Sequence, residues 1–239
     1  MAAPAPAPGA ARLAVFWLAP GWSRGNAATV WFASFSTIGL AAFLSLGQPY
    51  LLNAVLGIPQ AAQGRLTGTL GLVQELIIIG LAGFVGAWSD RVGRRVVFCL
   101  GLTVMAAGYV VFPFAGSELE LVAFRLVFAL GVAMAPLMLQ ACVVDASNNL
   151  LQGLGVALVS VVLGRSFGWF EGLGASPAAA GRYGFLLAAG LCGLAAAVLA
   201  AGLPRQAAAP RAGPAEPLAR QVATALRLAA SNPTLAVTY

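Results

Sequence analysis

The sequence contains no histidine and no lysine, so all of its 13 basic residues are arginines. Chemistry that needs an imidazole, a Schiff-base lysine or a histidine-bound metal is therefore excluded. A phosphate-binding loop of the Gly-x-x-x-x-Gly-Lys-Ser/Thr type is excluded as well, because it needs the lysine. The three cysteines lie inside apolar stretches without metal-ligand spacing, which favours buried hydrophobic roles. We expect neither a metal nor a cofactor.

Charged residues of either sign are scarce. They make up 8% of the 239 residues, whereas 60% are apolar and the mean hydropathy is +0.90. A soluble domain has about 25% charged and about 45–50% apolar residues, so this composition excludes a soluble enzyme and indicates a membrane protein. The net charge of +6 comes from arginines dispersed between apolar segments, which favours a topology signal over nucleic-acid binding.

Six apolar runs are long enough to cross a hydrocarbon core, which takes about 20 residues of helix. They predict an all-α membrane protein in which a tail, residues 1–27, precedes a six-helix transmembrane domain, residues 28–203. The runs are Ala28–Tyr50, Leu66–Trp88, Val96–Ala115, Leu119–Val144, Leu150–Phe170 and Tyr183–Leu203.

The distribution of arginine predicts the orientation, because cytoplasmic loops carry the excess of positive charge. With the N-terminus in the cytoplasm, that side holds Arg12, Arg24, Arg91, Arg94, Arg95, Arg205, Arg211, Arg220 and Arg227, and the outside holds Arg65, Arg165 and Arg182. We therefore expect a multi-pass protein of the cell membrane, the inner or plasma membrane, with its N-terminus in the cytoplasm and lipid around the spans.

The composition changes after Leu203 to proline, alanine and arginine, which predicts a cytoplasmic linker over residues 204–232. Residues 233–239 are apolar again and are expected to begin a seventh helix. Six helices, a long linker and a seventh beginning predict the N-terminal half of a twelve-helix protein built from two six-helix halves. We expect the reading frame to continue into about six further spans, whose helices are the partner of this half.

A charged motif lies between the second and third runs and reads Gly86-Ala-Trp-Ser-Asp90-Arg91-Val-Gly93-Arg94-Arg95. It resembles the signature loop of the major facilitator superfamily, Gly-x-x-x-Asp-Arg-x-Gly-Arg-Arg/Lys, at every defining position. Such a tight turn needs Gly93 for backbone freedom and Gly86 for close helix approach, and its arginines hold it at the anionic membrane surface. A purely structural role, in which the loop fixes the topology of the chain at the membrane surface, would by itself explain this pattern.

The resemblance also implies a gate. In this gate, Asp90 and Arg94 join an ion-pair network with an acidic residue at the cytoplasmic end of the fourth span. Asp145 is the acidic residue at that position in the sequence. The segment from Asp145 to Gly153 is similar to an Asp…Arg-Gly turn of the superfamily, but Gln152 replaces the arginine, so one expected charge is absent.

Three charged residues inside the spans are candidates for coupling or substrate binding: Glu75, Arg125 and Arg165. The stretch that begins at Arg125 is similar to the superfamily pattern Arg-x-x-x-Gly-x-Gly-x-Ala, except that Ala129 replaces the first glycine of the pattern. The resemblance implies that Arg125 takes part in proton coupling or substrate binding. A charge in a span costs at least about 2.5 kcal/mol and normally faces a cavity or a partner. Snorkelling of Arg125 to the outer interface is the alternative.

Glu75 is the only carboxylate deep in a predicted span. Its estimated depth is within about 5 Å of that of Arg125, so the two side chains could meet and form a proton-linked switch. A hydrogen bond to a helix neighbour would explain the carboxyl equally well. Arg165 lies in the outer part of the fifth span.

The fifth run carries Gly155, Gly164, Gly168 and Gly172. Their spacing resembles the antiporter motif of drug/proton exchangers, Gly-x8-Gly-x3-Gly-Pro-x2-Gly-Gly. The sequence departs from it at Trp169, which replaces the proline, and at the final glycine. Ordinary packing of small residues between helices accounts for the spacing equally well.

These features predict a secondary active transporter that moves a small organic solute by alternating access, and the glycine spacing favours proton-coupled efflux. Proton-coupled uptake of a metabolite and a non-transporting six-helix scaffold are the alternatives. An enzyme is not expected, since no cluster of polar catalytic residues is present beyond Asp90 and Asp145. The expected partners are lipid, the solute, protons and the second half, without nucleic acid.

Overall fold

The structure is a computed structural model that describes residues 12–13, 16–17, 24–142 and 146–203. Asp145, the predicted linker over 204–232 and the expected seventh-helix start over 233–239 lie outside these residues. Two short antiparallel strands, β1 (Arg12–Leu13) and β2 (Phe16–Trp17), pair with each other before the first helix.

Six long helices make up nearly all of the described chain, and each is long and apolar enough to cross a membrane. This confirms the prediction of an all-α membrane protein with six spans. The helices are α1 (Arg24–Ala54), α2 (Gln63–Val92), α3 (Arg94–Val111), α4 (Glu118–Cys142), α5 (Ala146–Gly172) and α6 (Pro177–Gly202).

Each of the six helices begins earlier than its predicted apolar run, because the start of a helix depends on its capping residues and not only on where hydropathy rises. The start of α6 is an example. Ser176 precedes it with an extended backbone and accepts a hydrogen bond from the Ala179 N–H at 3.3 Å, and Pro177 occupies the first helical position. This capping sequence begins α6 at Pro177 and not at Tyr183.

A single residue turns the chain between α2 and α3. Gly93 has a φ of 94°, which residues with a side chain rarely adopt, and its N–H donates to the Ser89 carbonyl at 2.8 Å. The prediction that this position needs backbone freedom is confirmed. The end of the bundle that carries this turn is called the Gly93 end below, and the opposite end, where α1 is connected to α2 through Gly57, is called the Gly57 end.

The bundle is built around α1 and α3. Helix α1 packs against α4, α5 and α6, while α3 lies between α4 and α6 and α2 contacts mainly α4. Aromatic rings fill the centre, where Phe43 lies 5.7 Å from Phe185 and Tyr109 meets the edge of Phe128 at 5.0 Å between ring centroids. Cys192 is buried in this core.

Helices α2 and α5 are the least covered. The described chain buries 11% of the apolar window of α2 and 22% of that of α5, against 61% for α1. Large apolar side chains such as Leu76 and Ile79 on α2 and Val161 and Trp169 on α5 are exposed. Since both helices are apolar, these faces meet lipid or another membrane helix.

Candidate functional site

Arg125 is buried between α4 and α1, with 2% of its surface exposed. Its Nη1 donates to Gln48 Oε1 at 3.2 Å and its Nη2 donates to Ser45 Oγ at 2.9 Å. The guanidinium also lies 5.8 Å from the ring centroid of Phe128. A buried guanidinium that is bonded to a neighbouring helix does not fit the snorkelling alternative.

Gln48 connects this arginine to a third helix. It lies on α1 with 1% of its surface exposed, and its Nε2 donates to Thr67 Oγ1 on α2 at 3.1 Å. The chain of bonds from Thr67 through Gln48 to Arg125 therefore joins α2, α1 and α4. We did not predict Ser45 or Gln48 from the sequence, although two polar residues three apart in an apolar run are a usable signal.

Glu75 is an exposed residue of α2. Within the described ranges, the Glu75 carboxylate and the Arg125 guanidinium form no ion pair shorter than 4 Å. The Oε1 of the adjacent Gln74 is buried and has no hydrogen-bond partner among these residues. The predicted direct pairing of Glu75 with Arg125 is therefore not formed among the described residues.

Arg165 is not one of the hydrogen-bond partners of Arg125 in the described chain. It is exposed on α5, and the hydrogen bonds of the Arg125 guanidinium in the described chain go to α1. Its predicted role in coupling or substrate binding remains a prediction.

At the Gly93 end, Asp90 and Arg91 are exposed, whereas Arg94 and Arg95 are half-buried. Arg95 donates from Nη1 to the Leu203 carbonyl at 2.8 Å and from Nη2 to the Ala200 carbonyl. Those carbonyls belong to the last turn of α6 and its first following residue, so Arg95 caps that helix.

The proposed gate itself is not tested by these contacts. Asp145 lies outside the described residues, so the network of Asp90, Arg94 and Asp145 remains a prediction. The expected close helix approach at Gly86 is not formed within the described bundle, where a Cβ on that residue would meet nothing within 4 Å. Gly86 lies on α2, the helix of which the described chain buries the smallest share.

The four glycines of α5 have two different environments. A Cβ on Gly155 would overlap the Phe35 carbonyl oxygen and lie 2.7 Å from the carbonyl carbon, so the backbones of α1 and α5 touch there. A Cβ on Gly164, Gly168 or Gly172 would meet nothing within 4 Å in the described chain. Packing inside the bundle therefore accounts for Gly155 and not for the other three.

A polar cavity of about 360 Å³ opens at the Gly57 end, lined by Tyr50, Asn53 and Gln63 among others. Beside it, the Tyr50 hydroxyl donates to the Glu171 carboxylate and lies 3.1 Å from the Pro177 carbonyl oxygen. These contacts link α1 to the ends of α5 and α6. The sequence analysis did not identify this cavity.

Comparison with known proteins gives two kinds of match. Magnetosome protein MamZ of Magnetospirillum gryphiswaldense is 31% identical over 99 residues, which cover 41% of this chain and 14% of that protein. Magnetosome protein MamZ of Paramagnetospirillum magneticum is 35% identical over 74 residues, which cover 30% of this chain and 12% of that protein. The chain thus matches a small part of either relative, and no solved structure matches it significantly.

The second match is to a family. The Major Facilitator Superfamily matches residues 30–239, which include all but the start of α1 and every other described helix. Six membrane-spanning helices and the glycine turn at residue 93 agree with this match. The chain therefore belongs to the Major Facilitator Superfamily, a family of transporters.

Proposed function

We propose that the protein is a secondary active transporter that exports a small organic solute in exchange for protons by alternating access. The observation that carries the proposal is the buried guanidinium of Arg125, which is bonded to Ser45 and Gln48 of α1 and whose Nε has no hydrogen-bond partner among the described residues. Membership of the Major Facilitator Superfamily supports transport as the general activity.

Glu75 is our candidate for the proton-binding group, because it is a carboxylate in a membrane-spanning helix, and such a group normally has a functional role. Glu75 and Arg125 lie on different helices, α2 and α4, and form no ion pair in the described chain. A movement of α2 against α4 would therefore change the surroundings of both groups during the transport cycle.

Export is favoured over uptake by three glycines of α5. Gly164, Gly168 and Gly172 have no packing function inside the described bundle, so internal packing does not explain their spacing. The same spacing resembles that of drug/proton exchangers, and an open glycine face allows another helix to approach closely. Proton-coupled uptake remains the second candidate, because a carboxylate and an arginine would serve either direction.

We further propose that the Gly93 end faces the cytoplasm of the cell membrane. Arg24, Arg91, Arg94 and Arg95 lie there, whereas Arg65 and Arg182 lie at the Gly57 end. Positive charge near the ends of spans favours the cytoplasmic side.

The test uses everted membrane vesicles that contain the product of the complete reading frame. Respiration acidifies their interior, and ethidium and tetraphenylphosphonium serve as probe solutes while acridine orange reports the proton gradient. Addition of a transported probe should dissipate part of the gradient as the probe accumulates inside. Glu75→Gln should abolish this response at unchanged protein abundance, because the amide keeps the shape of the side chain and cannot titrate.

The matched control is Glu118→Gln. Glu118 is a carboxylate at the start of α4, 60% exposed, which lies 3.8 Å from the exposed Arg65. A surface pair of this kind contributes at most about 1 kcal/mol, so we expect wild-type exchange. Full exchange in the Glu75→Gln protein would refute the coupling role, and accumulation in right-side-out vesicles driven by inward proton flow would refute export.

A further inference from the structure

The polar cavity of about 360 Å³ at the Gly57 end has a lining without formal charge. Three of its lining residues carry side-chain amides, Asn53, Gln60 and Gln63, and the others are a tyrosine, two prolines and an alanine. Sites for small molecules have volumes of about 300–1,000 Å³ and combine apolar walls with a few polar groups. The cavity is therefore large enough, and of the right composition, for a small solute.

Gln63 supplies a fixed hydrogen-bond acceptor to this cavity. Its side chain is 5% exposed, and its Nε2 donates to the Pro49 and Ile58 carbonyls at 3.3 and 2.9 Å. The reverse orientation would place the amide oxygen against two carbonyl oxygens, which cannot donate. Oε1 accepts no hydrogen bond from the described residues, and the residue lines the cavity, so this oxygen is left for a ligand.

The aromatic wall of the cavity is held in place by α5. The Tyr50 ring stacks on Phe167 with 4.4 Å between ring centroids and 3° between the planes, and its hydroxyl donates to the Glu171 carboxylate. Pro49 and Pro177 add two rigid rings to the lining. Because these walls are already ordered, a ligand would not have to order them on binding.

The mouth of the cavity consists of two adaptable amides. Asn53 and Gln60 are exposed, and their side chains form no hydrogen bond with the described residues. An amide both donates and accepts, so each can match a hydroxyl group of a solute. Neither has to give up a partner inside the protein to do so.

We propose that this cavity is a binding site for a neutral polyhydroxylated solute, a sugar or a polyol. The fixed oxygen of Gln63 requires a ligand that donates, and the free amides suit groups that both donate and accept. The uncharged lining does not compensate the loss of hydration of an ion. Since Arg125 and Glu75 are not part of the lining, the site does not depend on the proposed transport mechanism.

The experiment measures binding of glucose to the purified product of the complete reading frame in nanodiscs, by titration with saturation-transfer difference NMR. Glucose should bind saturably. Glucuronate and protonated glucosamine carry a negative and a positive charge on the same ring, and each should bind at least about tenfold more weakly. Tetraethylene glycol dimethyl ether, which has oxygen acceptors and no donor, should show no saturable binding.

Substitutions at the mouth locate the bound sugar. Gln60→Trp and Asn53→Trp place an indole at the mouth and should each weaken glucose binding at least about tenfold. The matched control is Gln140→Trp, because Gln140 is an exposed glutamine of α4 towards the Gly93 end. Gln63→Leu removes one hydrogen bond to the ligand, so it should weaken binding by about 2- to 12-fold.

Each result supports or overturns the site. An absence of saturable glucose binding, or tighter binding of either charged analogue, would overturn the proposal. Wild-type affinity in both Gln60→Trp and Asn53→Trp, or an equal loss in Gln140→Trp, would also overturn it. If Gln63→Leu does not fold, the two mouth variants decide. Glucose binding that is lost in the mouth variants of a protein without proton exchange would support the site while refuting the proposed transport.

Discussion

Replacing Gly155 by alanine tests the backbone contact between α1 and α5. The added Cβ would overlap the Phe35 carbonyl oxygen and lie 2.7 Å from its carbon. Ordinary carbon contacts are about 3.5–4.0 Å long, so the helices would have to separate by roughly 1 Å. Gly39 packs against the same place, with its own Cβ position 2.5 Å from the Gly155 oxygen, so a sideways shift of α5 meets a second tight contact.

The expected loss of stability follows from this geometry. Overpacking costs about 1–3 kcal/mol, and we expect the upper end because the atoms that clash belong to the backbone and have no alternative rotamer. In a chain of this size about 1 kcal/mol lowers an unfolding midpoint by about 2–4 °C, so Gly155→Ala should lower it by roughly 6–12 °C.

The assay is a thermal scan of the detergent-purified protein followed by tryptophan emission, at one heating rate for all variants because the midpoint of an irreversible transition depends on that rate. The control is Gly168→Ala, whose Cβ would meet nothing within 4 Å in the described chain. Alanine stabilises a helix by up to about 1 kcal/mol relative to glycine, so the control should melt at or slightly above the wild-type midpoint. Equal midpoints for both variants would show that α1 and α5 are not in backbone contact.

Three further predictions follow from the charged residues. Arg95→Gln should increase amide hydrogen exchange in the last turn of α6, because two carbonyls lose their cap, whereas Arg91→Gln, at an exposed position, should not. Arg125→Lys should impair exchange in everted vesicles, since an ammonium cannot reproduce the two diverging bonds of the guanidinium, and unchanged exchange would contradict the geometry. A cysteine replacing Arg91 in a background without the native cysteines should react with an impermeant maleimide from the cytoplasmic side, and labelling from outside would refute the proposed orientation.

The sequence was sufficient for the helices and for the Gly93 turn, because both depend on local properties. An apolar run of about 20 residues is a local signal, and so is a glycine in a one-residue turn. The helix ends were less accurate, since α1 begins at Arg24 and not at Ala28.

The contacts between helices could not be predicted in the same way. Arg125 was identified as a buried charge, but its partner Gln48 lies 77 residues earlier, and nothing in the local sequence indicates that α1 and α4 meet there. Arg95 was assigned to a loop motif, whereas its hydrogen-bond acceptor Leu203 lies 108 residues later. Similarly, glycine spacing cannot show that Gly155 touches α1 while Gly168 does not, because that depends on how the helices are arranged.

The bonds from Arg125 to α1 also have a consequence for biogenesis. A guanidinium inside a span costs up to about 2.5–3.5 kcal/mol during insertion through the translocon, the full cost being that at the span centre. Its acceptors, Ser45 and Gln48, lie on a helix that the ribosome synthesises first, so α4 can enter the bilayer beside a helix that already offers them. A circular permutant in which α1 follows α6 would reverse this order. It would present α4 to lipid before its acceptors exist, and would therefore insert α4 less efficiently than the natural order does.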